Sequence, residues 1–146
     1  MSTVAKPQRA NSVSSTLGLE RWVAVVDDDE FVRRSLARLL RANGIVAQTF
    51  QSAQEYLSST PTTGPACIIL DVHLRDVMTG MELRERLSAQ GSLPPIIFIT
   101  GQDAQELGPG LPGLGNSAIL RKPFDPTVLL DLVLQRVGLG PANGTV

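Results

Sequence analysis

From residue 22 the chain alternates between short unbroken apolar runs and longer stretches whose apolar residues recur every three or four positions. Trp22-Val23-Ala24-Val25-Val26, Cys67-Ile68-Ile69-Leu70 and Ile96-Ile97-Phe98-Ile99 are continuous apolar runs. Such runs predict strands buried on both faces, because a half-exposed strand alternates polar with apolar positions. Ile45 to Phe50 predicts another strand, and Ala118-Ile119-Leu120 a fifth and shortest one. Helical periods lie between them. Phe31, Val32, Ser35, Leu36, Leu39 and Leu40 line one side of a predicted helix, and Arg33, Arg34, Arg38 and Arg41 face out. Asn43-Gly44 stops it, since glycine accepts the left-handed conformation that ends helices. Ser52-Ala53-Gln54-Glu55 reads as a capping box opening a short helix. A helix is predicted over Gly80 to Ala89, with Met81, Leu83 and Leu87 as its apolar residues. The last starts with Asp125 as N-cap and Pro126 in the first helical position and runs to Val137.

Strands alternating with helices through short connections predict an α/β fold with a doubly wound, five-stranded parallel sheet. Residues 1–20 are rich in Ser, Thr and Asn, lack an apolar period and read as a flexible arm. The domain proper spans 21–137, and 138–146 are a short C-terminal tail. The whole chain of 146 residues suits one domain, and its 42% hydrophobic content supports a core. A net charge of −1 provides no basic field for nucleic acid. The single cysteine, Cys67, excludes an internal disulfide and a cysteine-built zinc site, and fits a reducing compartment. No apolar run reaches the roughly 18 residues of a membrane helix, and no secretory signal opens the chain. The expected location is the cytoplasm, with neither membrane nor nucleic acid as partner.

The polar residues collect where the strands end. Asp27 and Asp28 follow the first strand, Asp71 the third, Thr100 the fourth and Lys122 the fifth. In an open parallel sheet all carboxyl ends lie on one edge, and ligands bind there at the point where strand order reverses. Residues scattered along the chain are thus predicted to converge on one pocket. Three close carboxylates repel one another unless a cation compensates, and a hard divalent ion such as magnesium takes oxygen ligands while keeping waters. A lysine adds charge toward phosphate oxygens, a threonine hydroxyl donates a hydrogen bond, and one carboxylate can accept a phosphoryl group. Each piece also has a plainer reading. Asp27 to Glu30 can be acids at a helix N-terminus, Asp71 a turn aspartate, Thr100-Gly101 a strand-end turn and Lys122 a solvated lysine. His73, the only histidine, excludes a histidine metal cluster, and Cys67 in an apolar strand reads as a small hydrophobe.

VAVVDDDEFVRRSLARLL, CIILDVHL, IIFITG and ILRKPF, in this order and spacing, resemble the receiver domains of two-component response regulators. That resemblance implies a CheY-like, flavodoxin-type sheet of order 2-1-3-4-5. It implies Asp71 as phosphoacceptor from a phosphohistidine, on a sensor histidine kinase or a histidine phosphotransfer protein. Asp28 and Asp71 would ligate Mg2+ directly, Asp27 through water and His73 through its backbone carbonyl. Thr100 would bond the phosphoryl group and Lys122 pair with it. The Lys122-Pro123 peptide bond would be cis. The product is a phosphoacceptor protein, not a multiple-turnover enzyme, and its output partner is unknown.

Three departures stand out. The loop after Asp71 reads VHLRDVMTG, with Arg75 where the family has proline and Gly80 one position later than usual. Ile119 replaces the aromatic residue three before the lysine. Between Thr100 and Lys122, where the family has its fourth helix, Gly108, Pro109, Gly110, Pro112, Gly113 and Gly115 crowd together. Each interior Gly costs about 1 kcal/mol and each Pro about 3 relative to Ala, so a short helical turn followed by an irregular loop is expected there. Nine residues follow Val137, which leaves no room for a helix-turn-helix output domain unless the chain is a fragment. The leading expectation is therefore a single-domain response regulator, acting through a protein partner or as a phosphate sink. One alternative is a receiver-fold interaction module no longer controlled by phosphorylation. Another is a small haloacid-dehalogenase-type phosphatase, whose acidic motif should follow the lysine, whereas Asp71 precedes it.

Overall fold

A computed structural model of the protein describes residues 21–59, 63–75, 77–101 and 118–138. Strands β1 (Val23–Val26), β2 (Ala47–Phe50), β3 (Cys67–Asp71), β4 (Ile96–Thr100) and β5 (Ala118–Arg121) form one sheet of order β2-β1-β3-β4-β5. Every neighbouring pair is parallel. The helices are α1 (Glu30–Ala42), α2 (Ala53–Ser59), α3 (Gly80–Ala89) and α4 (Pro126–Val137). The arm, the tail beyond Gly138 and the Gly/Pro-rich segment 108–115 lie outside the described residues.

Successive strand residues point to opposite faces, so each central strand contributes to two cores. Ala24, Val26, Ile68, Leu70, Ile96 and Phe98 pack on one face, with Tyr56 of α2 and Leu83 and Leu87 of α3. Val23, Val25, Cys67, Ile69, Ile97 and Ile99 pack on the other, with Leu36 and Leu40 of α1 and Leu129 and Val133 of α4. This two-sided burial is why β1, β3 and β4 read as unbroken apolar runs. Ile119 of the edge strand β5 is half-buried against the first of these cores.

The buried stripe of α1 differs from the expected one. Leu36, Ala37 and Leu40 are buried, Phe31 is 75% exposed and Ser35 is exposed. At about 100° per residue, Phe31 stands nearly opposite Leu36, Ala37 and Leu40, whereas Arg33 falls in line with them. Arg33 is accordingly half-buried, and its Nη1 donates to the Asp27 carbonyl at 2.8 Å. Hydrophobicity by itself suggested the wrong face at this turn, because an arginine occupies the inward position.

Caps account for the helix boundaries. Asn43 and Gly44, the latter at φ +77°, end α1 as expected. Asp125 accepts from the Thr127 N–H at 2.8 Å at the start of α4. At α2 the Ser52 hydroxyl accepts from the Glu55 N–H, but the Glu55 carboxylate reaches the Gln51 N–H, one residue before the position a capping box requires. The reciprocal box stands instead at α3, between Thr79 and Glu82. The Lys122-Pro123 bond is cis.

Cys67 is completely buried in β3, and burial pushes its thiol up to about 12. Thiolate, the reactive form, is therefore scarce at neutral pH. Alkylation of the native protein should run roughly a thousandfold or more slower than that of the urea-unfolded chain, tracking global opening. Rapid native labelling, followed by mass spectrometry, would contradict the buried placement of β3.

Candidate functional site

β1 and β3 are neighbours, yet the chain proceeds from β1 to β2 on one side and from β3 to β4 on the other. Their carboxyl ends border a crevice at this reversal, the usual ligand position in open parallel sheets. Asp27 and Asp28 follow β1, and Asp71 is the last residue of β3. A carboxylate oxygen from each of the three lies within 4.8 Å of the other two. Asp27 and Asp71 are buried, at 1% and 5% exposure, whereas Asp28 is half-buried.

Lys122 arrives from the far side of the sheet. Its Nζ lies 3.3 Å from Asp27 Oδ2 and 3.8 Å from Asp71 Oδ2. Thr100, fully buried at the end of β4, accepts the Lys122 N–H on its carbonyl at 2.7 Å, joining the ends of β4 and β5. The exposed His73 donates its backbone N–H to Asp71 Oδ1 at 2.9 Å. Asp27 Oδ1 accepts the Asp29 N–H at 2.8 Å. Asp27, Asp28, Asp71 and Lys122 thus meet at one edge of the sheet, with Thr100 and His73 adjoining.

The acidic run after β1 divides between two jobs. Asp29 caps α1, accepting from the Phe31 N–H at 2.8 Å, and Glu30 lies in the first turn, where negative charge suits the helix dipole. The helix-terminus reading therefore holds for Asp29 and Glu30, and the pocket takes Asp27 and Asp28.

Burial pushes the Asp27 carboxyl above its ordinary value of 3.8, and the charge of Asp71 adds to this; the Asp29 N–H and Lys122 oppose it. Because the folded protein holds this proton to higher pH than the unfolded chain, stability contributed by the protonated form is lost as pH rises through the folded value. In metal-free buffer at neutral pH, Asp27→Asn should therefore stabilise the protein. Asp71 remains to pair with Lys122, so no cation is stranded. The expected gain is roughly 3 to 6 °C in Tm, the span that about 1 kcal/mol produces in a domain of this size. Well below pH 3.8, where Asp27 is protonated in the folded and unfolded chain alike, the gap should close. A lower neutral-pH Tm for the variant would show that the hydrogen bonds of Asp27 outweigh its burial.

Three carboxylates meeting the Lys122 ammonium and the exposed Arg75 guanidinium are still short of positive charge. Closely set oxygens suit a hard divalent cation better than a soft one. The donor set therefore fits such an ion, with no histidine or cysteine among its side-chain ligands.

Two contacts were not evident from the sequence. Gly80 is buried, and a Cβ there would overlap the Asp71 carbonyl oxygen and stand 3.1 Å from Val72 Cα. A glycine in the first turn of a helix already capped by Thr79 has no helical reason to be there; that anomaly is the available signal. Arg75 donates its N–H to Asp28 Oδ2 at 2.9 Å, a contact invisible in sequence because 47 positions separate the two residues.

The response regulator receiver domain family model matches residues 23–134. Transcriptional regulatory protein TdiR of Thauera aromatica is 35% identical over 111 residues, covering 76% of this chain and 48% of TdiR. Transcriptional regulatory protein FixJ of Azorhizobium caulinodans is 33% identical over 122 residues, covering 84% of this chain and 57% of FixJ. The chain thus spans about half the length of these curated relatives. Among solved structures, a response regulator receiver protein from Burkholderia phymatum superposes with a TM-score of 0.70 at 39% identity, covering 82% of this chain and 97% of that one.

Proposed function

Because the chain belongs to the response regulator receiver domain family, we propose that it accepts a phosphoryl group on Asp71 from a phosphohistidine of a sensor histidine kinase or histidine phosphotransfer protein. The observation that carries this reading is the meeting of Asp27, Asp28 and Asp71 with Lys122 at the crevice between β1 and β3. A carboxylate oxygen of Asp71 attacks phosphorus as the P–N bond breaks, and the departing imidazole nitrogen keeps the electron pair. The His73 N–H orients the nucleophile by holding Asp71 Oδ1. Lys122, already 3.8 Å from Asp71 Oδ2, pairs with the transferred group, and the Thr100 hydroxyl bonds one of its oxygens. Asp28, Asp71 and the His73 backbone carbonyl would hold Mg2+ directly and Asp27 through water, and the ion would neutralise charge on the phosphoryl group in transfer.

On this reading residues 21–137 act as the receiver, flanked by an arm (1–20) and a tail (138–146). The protein is a phosphoacceptor that turns over only its own acyl phosphate. It works in the cytoplasm and signals through a protein partner or drains phosphate from a relay. Among the described residues no helix is long and apolar enough to cross a membrane.

Incubation with a kinase carrying radiolabelled phosphohistidine tests this directly. Label should pass to the chain in a Mg2+-dependent, alkali-labile form. Absence of transfer from kinases and from acetyl phosphate alike would favour the interaction module, and steady release of phosphate from a phosphomonoester would favour the phosphatase.

A further inference from the structure

Among the described residues, two cations divide the three carboxylates between them. Lys122 stands within 4.0 Å of Asp27 and Asp71. Asp28 is served instead by Arg75, whose Nε lies 3.7 Å from the Asp28 Oδ2 that also accepts the Arg75 N–H. Both contacts come from one residue in the loop after β3. A proline there would supply neither, having no N–H and no charge. The arginine side chain is 91% exposed, and Asp28 is 23% exposed, so the guanidinium reaches in from solvent and can swing away without breaking any core packing.

We propose that Arg75 is a built-in counter-cation for Asp28, which weakens the cluster's hold on a divalent metal ion and makes that hold depend on ionic strength. The inference rests on the metal-site reading above. An incoming ion meets a carboxylate already partly neutralised, and it must share Asp28 with the guanidinium or displace it. The Arg75 N–H bond is a backbone contact and survives removal of the side chain, so Asp28 keeps its placement while its cation is lost. The loop after β3 thereby sets how much metal ion is needed before the site is complete.

Manganous ion, detected in its free form by electron paramagnetic resonance, is a probe that needs no phosphorylation. In dilute buffer, Arg75→Ala should bind Mn2+ about fivefold more tightly than the wild type, the factor set by one pair of unit charges near 4 Å in water. Arg75→Lys should stay near the wild type. In about 1 M salt, where the screening length is about 3 Å, the three proteins should converge. Equal or weaker binding by Arg75→Ala in dilute buffer overturns the role of Arg75 while leaving the metal site standing. No Mn2+ binding by any of the three, or undiminished binding by Asp28→Asn, overturns the metal-site reading and this inference with it.

Discussion

Asp71→Asn should lose phosphoryl uptake from kinase or acetyl phosphate by roughly a thousandfold or more, in a protein that is folded and no less stable than the wild type. The two halves of this expectation have separate causes. The carboxamide has the size of the carboxylate, and its oxygen can accept the His73 N–H that Asp71 Oδ1 accepts at 2.9 Å. Lys122 keeps Asp27 at 3.3 Å, and one charge fewer in a buried cluster relieves repulsion. What disappears is the anionic oxygen proposed to attack phosphorus. Asp28 and Asp27 are poor substitutes: the first is tied to Arg75, and the second is pushed toward its protonated form by burial. Intact mass after exposure to acetyl phosphate, together with thermal melts, checks both halves. A labelled variant would move the acceptor elsewhere.

Gly80→Ala should be among the most damaging single-methyl additions to this protein, lowering its stability by about 2 to 3 kcal/mol, or roughly 10 °C in Tm. Helix propensity pulls the other way, since Ala exceeds Gly by about 1 kcal/mol inside a helix. Sterics decide the sign. The new Cβ would overlap the Asp71 carbonyl oxygen and press on Val72 Cα at 3.1 Å. Both are backbone atoms, and β3 is locked between β1 and β4, so neither can turn aside as a flexible side chain would. The displacement falls on Asp71, the proposed phosphoacceptor, so phosphoryl uptake should drop along with stability. Gly64→Ala is the control, because a Cβ there meets nothing within 4 Å; its Tm should be unchanged or slightly raised. Equal melting of the two variants would show that the loop after β3 yields freely.

How legible these features were depended on whether their cause is local. The unbroken runs of β1, β3 and β4 announced burial on both faces, and the Asp125-Pro126 start and Asn43-Gly44 stop announced helix ends through cap chemistry a few residues long. Expectation failed where the path of the chain or its packing against the sheet, rather than the local pattern of residue types, chose the outcome. Phe31 was assigned inward because it is apolar, yet the helical turn and the sheet beneath put Arg33 there instead. Ser52 and Glu55 carry a capping-box pattern, but the path of the chain out of β2 let Glu55 reach Gln51 rather than Ser52. Gly80 entered only as the start of a predicted helix, one position later than usual, although its lack of a side chain answers to the Asp71 backbone against which it packs.

By itself, the sequence determined the α/β class, the strand ends and the set of acidic, hydroxyl and basic residues stationed at them. Those properties follow from periodicities and from short-range hydrogen bonding, which any contiguous stretch displays. Only the tertiary structure decided that Lys122 serves Asp27 and Asp71 while Arg75 serves Asp28, that Asp27 is buried and Asp28 half-buried, and that Gly80 abuts Asp71. Charge pairing, desolvation and close packing act through space over a few ångströms, and residues 47 or 95 positions apart come that close only once the sheet has formed.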